Sequence, residues 1–364
     1  AQISVSYCEP WANREAPLKA LKWMFDPEGP LKFRPQLDPA QWKWGLQFLA
    51  QCNDTAFERN VAQLVALGQY SHSAHYYTSQ QSFDDAGSAA EVMRRHGVAR
   101  RVVSRDELLR IEPALRSFAD RIVGGTYTES DESGDCRAFT QKLLRLCQAR
   151  GLQTLMEYDI ERIHTQGGEV QNVQVRDRIG GQVRQLQADA FVVACGSYTT
   201  ALLKQVGVSV PIYPGKGYSA TLPLLRPDQA PSVSLLDDQM KCAVSRLGNQ
   251  LRVAGTIELG GFDMRLDTPL ARTRSRMLVR RIEQVFPGVA DTRTPEEGGD
   301  PQFWCGLRPA TPTNIPLMGR TRVGKLWVNA GHGTLGWTHG AGSGKALAEL
   351  VSGEQPAMNF NFYG

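Results

Sequence analysis

The hydrophobic pattern changes period along the chain. Residues 17–25 and 41–52 carry apolar positions at three- and four-residue spacing, which predicts helices, and Trp23, Trp42 and Trp44 fall within them. Residues 54–70 predict a third amphipathic helix, with Phe57, Val61, Leu64, Val65 and Leu67 on one stripe. Ser104-Arg105-Asp106-Glu107 has the form of a capping box opening a short helix that Pro113 stops. Residues 120–129 alternate like a strand. After Gly134 a helix is predicted from Cys136 to Arg150, with Phe139, Leu143, Leu144 and Leu146 as its apolar stripe. Leu155 to Ile163, the Gly167-Gly168 turn and Val170 to Val175 read as strand, hairpin and strand, and Gly180-Gly181 marks another turn.

The apolar run within 186–194 (Ala190-Phe191-Val192-Val193-Ala194) reads as a buried strand. It enters a turn at Cys195-Gly196 and then a helix from Thr199 to Val206. A strand–turn–helix of this kind presents backbone amides at the strand's carboxyl end, where α/β sheets take ligands. A plain buried strand ending in glycine is the alternative reading. From 210 to 300 strands dominate: Tyr218–Leu222, Ala243–Arg246 and Leu251–Gly255, with a hairpin turn at Asn249. A helix over 268–286 follows, whose arginines (Arg272, Arg274, Arg276, Arg280, Arg281) read as a solvated basic face.

Composition narrows the class. A chain of 364 residues can bury a large core and suggests about two domains. Net charge is +4, from 41 basic and 37 acidic residues, too mild to argue for nucleic acid. Seven scattered cysteines without a C-x-x-C pair read as reduced thiols, not a disulfide framework or zinc site, so a cytoplasmic location is expected. His72 and His75 have no partner pattern for a metal. Gly340 to Lys345 resembles a phosphate loop, but His339 stands where its first glycine is needed and Ala346 where Ser or Thr is. No G-x-S-x-G elbow surrounds Ser197. The tryptophan-rich helices near Lys19, Lys22 and Lys43 read as core packing, with a peripheral contact to the inner face of the cytoplasmic membrane as the alternative.

The densest signal comes near the end. Gly306-Leu307-Arg308-Pro309 is followed by an apolar strand, Leu326 to Ala330. The strand runs into Gly331-His332-Gly333-Thr334-Leu335-Gly336-Trp337, and a helix is predicted from Ser343 to Val351. Glycines let backbone approach a flat or phosphorylated cofactor, and a helix N-terminus offers free N–H groups to negative charge. The acidic residue that a complete dinucleotide fingerprint needs about 20 positions further on is not supplied by Glu354 in its Gly/Pro-rich tail.

These segments, with Gln2-Ile3-Ser4, Tyr7, Pro10-Trp11, Pro17 to Phe25, Glu112 to Leu115, Gly134-Asp135-Cys136, Gly196-Ser197-Tyr198 and Lys216 to Ser219, resemble the FAD-dependent D-amino acid dehydrogenases of the small-subunit type. These fall within the group that holds glycine oxidase and D-amino acid oxidase. The family opens with a strand, a G-x-G-x-x-G turn, a helix and a second strand, and the 364 residues begin beyond that unit. A shorter stretch than the family's falls between Tyr70 and Thr78.

The resemblance implies an α/β fold. Its FAD-binding, Rossmann-like domain, incomplete at the N-terminus, would take 1–16, 104–209 and 301–364. A mostly antiparallel substrate domain would take 17–103 and 210–300. It implies oxidative deamination of D-alanine-like D-amino acids to 2-oxo acids and ammonia, with hydride passing from Cα to FAD and electrons onward to a quinone or other carrier. An oxygen-using amino acid oxidase, or an inactive remnant lacking the first unit, are the alternatives.

The resemblance also places residues. Arg308, whose planar fork matches a carboxylate, would clamp the substrate. Tyr7 and Tyr218 would close the pocket, and His332 is a candidate proton-transfer group. Gln2, Ile3, Ile160, Ala194, Cys195, Gly196, Gly306, Gly331, Gly333, Thr334, Leu335, Gly336 and Trp337 would contact FAD.

Overall fold

The computed structural model describes residues 2–3, 10–26, 28–67, 73–129 and 132–364. Its largest element is a nine-stranded sheet. At one edge lies the strand Gln302–Ala310, the arginine strand. Next come the central strand Tyr213–Pro223 and the bulged strand Gln250–Leu259. Beyond them run Cys242–Leu247, Leu235–Asp237, Ser73–Tyr77, Gly124–Thr128 and Arg101–Ser104. Pairing is antiparallel except where Leu235–Asp237 meets Ser73–Tyr77, and where the short strand Leu31–Phe33 joins the bulged strand.

The two faces of this sheet do different things. Tyr218, Ala220 and Leu222 of the central strand lie on one face beside Val253, Leu251 and Val244, and the helix Pro269–Val285 covers them with Ala271, Leu278, Ile282 and Val285. This is the main hydrophobic core. The alternate positions Gly215, Gly217, Ser219 and Thr221 point the other way, in register with Arg308, Gly306, Trp304 and Gln302. That second face carries the polar chemistry. Domain limits at 104 and 301 do not describe the pairing, because Gly124–Thr128 and Gln302–Ala310, expected on the cofactor side, both hydrogen-bond into the large sheet.

The arginine-rich helix also departs from expectation. Arg272, Arg276 and Arg280 are exposed, but Arg274 and Arg281 are buried. The buried two are seven residues apart, two helical turns, and so share the core stripe. Arg274 donates to the carbonyls of Gly29 (3.2 Å), Pro30 (3.0 Å) and Ile257 (3.2 Å) and lies over the Tyr218 ring. Arg281 Nε donates to Asp237 Oδ2 at 2.5 Å, and Asp237 also accepts from Tyr76 Oη at 2.6 Å.

A second, smaller sheet has Phe191–Val193 parallel to Leu326–Ala330, which in turn pairs antiparallel with Leu317–Arg320. Its core is Val193, Leu203, Val208, Val210, Leu326 and Val328. The expected long buried strand over 186–194 is only three residues, and Val192 is 46% exposed because its strand has one paired edge among the described residues. A three-stranded antiparallel sheet, Tyr158–Gln166, Glu169–Asp177 and Val183–Leu186, turns at Gly167 and Gly168, both in left-handed conformation. Ser104 caps the helix Arg105–Ile111 by accepting from the Glu107 N–H, while the Glu107 carboxylate turns to Arg101 instead of closing the box. Among the described residues no helix is long and apolar enough to cross a membrane.

Asp237 and Arg281 neutralise each other where water is excluded, so removing one strands the other. Arg281→Ala should therefore lower the unfolding free energy by about 3–5 kcal/mol, read from urea denaturation. A loss no larger than that of an exposed arginine such as Arg272→Ala would show that the pair does not hold the sheet to its helix.

Candidate active site

Arg308 sits two residues from the end of the arginine strand, with its side chain on the second face of the sheet. A guanidinium can lie flat there only if the neighbouring strand has no side chain in its path. Gly217 satisfies that condition: a Cβ added at Gly217 would fall inside the Arg308 guanidinium. Its cross-strand partner Gly306 is likewise filled by the Trp304 ring, and Gly215 is covered by Ile257, whose Cδ1 would be 2.5 Å from an added Cβ. The glycines of Gly215-Lys216-Gly217 and Gly306 are thus spacers that shape the floor under one arginine.

The bulged strand fixes the guanidinium from the other side. Between Lys216 and Tyr218 the register slips, so that Thr256 and Ile257 together oppose Gly217. Thr256 has a left-handed φ of 57° and turns its carbonyl to accept from Arg308 Nη1 at 2.8 Å.

Arg308 and Thr256 line a cavity of about 630 Å³. Its polar wall adds His75, Tyr77, Arg100, Asp238 and Lys241, with Thr334 from the glycine turn. Its apolar wall is built from Trp11, Leu31, Phe33, Trp44, Phe48 and Leu259. The strand Ser73–Tyr77 alternates, so His75 and Tyr77 face the cavity while Tyr76 faces the core. Arg100 is buried, donating to Tyr77 Oη (2.9 Å) and Thr126 Oγ1 (3.2 Å). Burial holds the His75 imidazole well below its ordinary pKa, and the nearby Arg100 and Lys241 cations lower it further, so it is neutral at physiological pH. Lys241 is paired with Asp238. None of His75, Tyr77, Arg100, Lys241 or Thr256 stood out in the sequence as a site residue. They come from separate strands, and only the alternation of Ser73-Ala74-His75-Tyr76-Tyr77 hinted at a two-faced element.

The three tryptophans of the first helices divide. Trp44 is core: its indole donates to the Ala310 carbonyl at 2.9 Å and stacks on Phe48. Trp23 and Trp42 border the cavity, and Trp42 is 52% exposed. Leu21, Leu46 and Leu49, also at the cavity's border, are 53%, 69% and 52% exposed.

Two of the expected site residues are placed elsewhere. Tyr218 is on the core face, the opposite parity from Gly217, with its hydroxyl bonded to Glu258 and its ring between Lys216 and Arg274. Burial and that carboxylate raise its pKa. It does not border the cavity. His332 Nε2 is 3.1 Å from Ser343 Oγ, and burial pulls its pKa down to about 4, so it is a neutral group tying the turn to the following helix. Tyr7 lies outside the described residues.

The glycine turn is better placed for a cofactor. The parallel pairing of Phe191–Val193 with Leu326–Ala330 brings the carboxyl ends of both strands to the same end of their sheet. There Ala194-Cys195-Gly196 and Gly331–Gly336 lie side by side, each leading into a helix. The helix after the second turn begins at Gly336, seven residues before the expected Ser343, so its N-terminal end, with no side-chain cap at Leu335, lies directly at the turn. The phosphate-loop lookalike Gly340 to Lys345 lies inside that helix.

Gly196, Gly331 and Gly333 have φ of 54°, 84° and 53°, which other residues rarely adopt. An added Cβ at Gly196 would meet nothing within 4 Å among the described residues. Trp337 Nε1 is buried without a hydrogen-bond acceptor among the described residues, beside Gly134 and edge-on to Phe139. Left-handed glycine backbone at two strand ends, a helix N-terminus and a buried indole donor without a described acceptor together fit a dinucleotide such as FAD. Leu335 is instead packed in a core with Val61, Leu64 and Met93. Gln2–Ile3 forms a two-residue strand with Glu132–Ser133, and Ile160 lies at a bulge of its hairpin, 45% exposed.

Comparison with known proteins follows the same line. Residues 32–350 match the family model described as DAO, FAD dependent oxidoreductase. A protein named D-amino acid dehydrogenase from Dechloromonas aromatica (strain RCB) is 44% identical over 381 residues, covering 99% of this chain and 88% of the relative. Another of that name, from Granulibacter bethesdensis (strain ATCC BAA-1260 / CGDNIH1), is 38% identical, covering 98% and 87%. The solved structure of glycine oxidase from Geobacillus kaustophilus is similar with a TM-score of 0.66 at 20% identity, covering 89% of this chain and 82% of that one; the likeness is one of fold. With a family match over residues 32–350 and a relative 44% identical over almost its whole length, the chain belongs to the DAO family of FAD-dependent oxidoreductases.

Proposed function

We propose that the chain oxidises D-amino acids, D-alanine and similar small apolar ones among them, to 2-oxo acids and ammonia. The observation that carries the reading is that Arg308 and Thr334 border one cavity, so a carboxylate clamp and the cofactor turn serve the same space. Relatives named D-amino acid dehydrogenase at 35–44% identity over almost the whole chain support the choice of substrate.

The work of the chain's own residues is mainly positioning. Arg308, held by the Thr256 carbonyl, offers a planar fork to the α-carboxylate. A substrate so fixed presents its Cα–H along one direction, which lowers the entropic part of the barrier. Cations on the polar wall favour an anionic substrate, and the aromatic wall excludes water around its side chain. FAD bound at the two turns supplies the hydride acceptor. The imine left on the substrate needs only water to give the 2-oxo acid and ammonia. Arg308 and Thr334 serve the substrate and flavin ends of the cavity, Gly306 is a spacer beneath Trp304 in the strand that carries Arg308, and Gly196, Gly331, Gly333 and Trp337 form the cofactor cradle.

The same reading sends electrons to a quinone or another carrier. Leu18, Leu21, Trp42, Leu46 and Leu49 expose apolar surface on the helices Ala16–Phe25 and Pro39–Ala50, with the exposed Lys22 and Lys43 beside them. Such a surface suits a peripheral contact with an anionic lipid face.

D-alanine should reduce an artificial dye in the presence of FAD and L-alanine should not. Turnover of the L-isomer alone, or of neither, would overturn the reading. Arg308→Lys should cost roughly 2–4 kcal/mol in kcat/KM, mostly through KM, with the flavin spectrum retained. Gly217→Ala should match it, because the new methyl displaces the same guanidinium. An unchanged KM in both would move the clamp to another arginine.

A further inference from the structure

Thr256 carries two features that the clamp alone does not explain. It is a β-branched residue in left-handed backbone, a conformation such residues seldom adopt and that tends to persist at binding sites. Its hydroxyl Oγ1 is also buried without a hydrogen-bond partner among the described residues, although the residue borders the cavity and is only 5% exposed. Turning the carbonyl toward Arg308 would be done as well by glycine, with less strain. Glycine does stand next door: an added Cβ at Gly255 would overlap Cys242, so that position is kept bare for strand packing. At 256 the chain keeps a hydroxyl instead, and an unmade hydrogen bond in a buried place is costly unless a ligand completes it.

We propose that Thr256 is a substrate-binding residue whose hydroxyl, enclosed by the protein, turns about χ1 toward the cavity it borders and donates to the carboxylate held by Arg308, giving the anion one ligand from the guanidinium and one from the bulge that positions it. The proposal rests on the reading of Arg308 as the carboxylate clamp, and it adds a specificity element built from a residue the sequence gave no reason to single out. One bulge then does two things. Its carbonyl fixes the cation, and its hydroxyl completes the anion's coordination, so clamp geometry and hydroxyl position cannot drift apart. The ligand class is a small carboxylate: a hydroxyl donor beside a guanidinium recognises an anion's oxygens, whatever the group attached to them.

The test uses the FAD-loaded full chain with Thr256→Val, Thr256→Ser and Thr256→Gly. Val keeps the shape and carbonyl but removes the donor. Ser keeps the donor. Gly suits the left-handed backbone, so it reports on loss of the hydroxyl even where Val does not fold. Binding of propionate is followed by the change in flavin absorbance, beside KM and kcat for D-alanine. Val and Gly should weaken propionate and raise the D-alanine KM by about 10- to 100-fold with kcat much less affected, and Ser should stay within about threefold of the parent. Gly binding propionate as tightly as the parent, or Ser as weakly as Gly, would overturn the proposal, as would a parent enzyme with no propionate site. Because propionate binding needs no turnover, a chain that binds it through Thr256 but oxidises no D-amino acid would refute the proposed reaction and leave this inference standing.

Discussion

A guanidinium laid flat against a β-sheet needs a lane without side chains, and this requirement organises the site. Gly217 lies directly in that lane, and its neighbours Gly215 and Gly306 carry Ile257 and Trp304 as lids. Antiparallel pairing of the central and arginine strands puts Gly217 opposite Gly306 and Gly215 opposite Arg308, so the lane exists only in this register. A slip of one residue would bring Lys216 or Tyr218 onto the arginine's face and close it. The stability of the sheet is therefore also the precision with which Arg308 is held.

That register is held from the far side. The core face of the same strands is covered by the helix Pro269–Val285, which is pinned by two kinds of buried arginine contact. Arg274 satisfies carbonyls of the Gly29-Pro30 segment and of Ile257, the residue that covers Gly215. Arg281 closes on Asp237 and, through it, on Tyr76. Tyr76 lies between His75 and Tyr77, both at the cavity. The ion pair on one side of the sheet and the substrate wall on the other are thus one residue apart along a strand. Buried charges of this kind contribute little net stability but are costly to leave half-made, which suits them to fixing an arrangement.

The cofactor side follows a different rule. There, under the proposed reading, backbone and not a side chain would face the cofactor. Two parallel strands end together, their turns use left-handed glycines, and a helix starts at the second turn with its N-terminal end there. His332, between two of those glycines, is kept neutral by burial and bonded to Ser343. It stiffens the turn where a titrating group would have disturbed a bound phosphate or flavin.

The sequence by itself determined the kinds of element and much of the chemistry. Apolar period separated the first helices and the hairpins, glycines marked two turns that are left-handed in the structure, and the Gly-Leu-Arg-Pro segment singled out Arg308, which borders the cavity. All of these are local signals, carried by neighbours in the chain. What it left open was parity and pairing. Whether Tyr218 or Gly217 shares the face of Arg308, whether Arg274 and Arg281 are wet or buried, and where the last helix begins depend on which strand or helix lies alongside. Thr256 is the sharpest case. A single residue's slip between two strands turns it into left-handed backbone beside Arg308, and no pattern within one strand encodes a slip relative to another. Only the tertiary structure decided that, because register is a property of two chain segments packed together and is set by the core they bury in common.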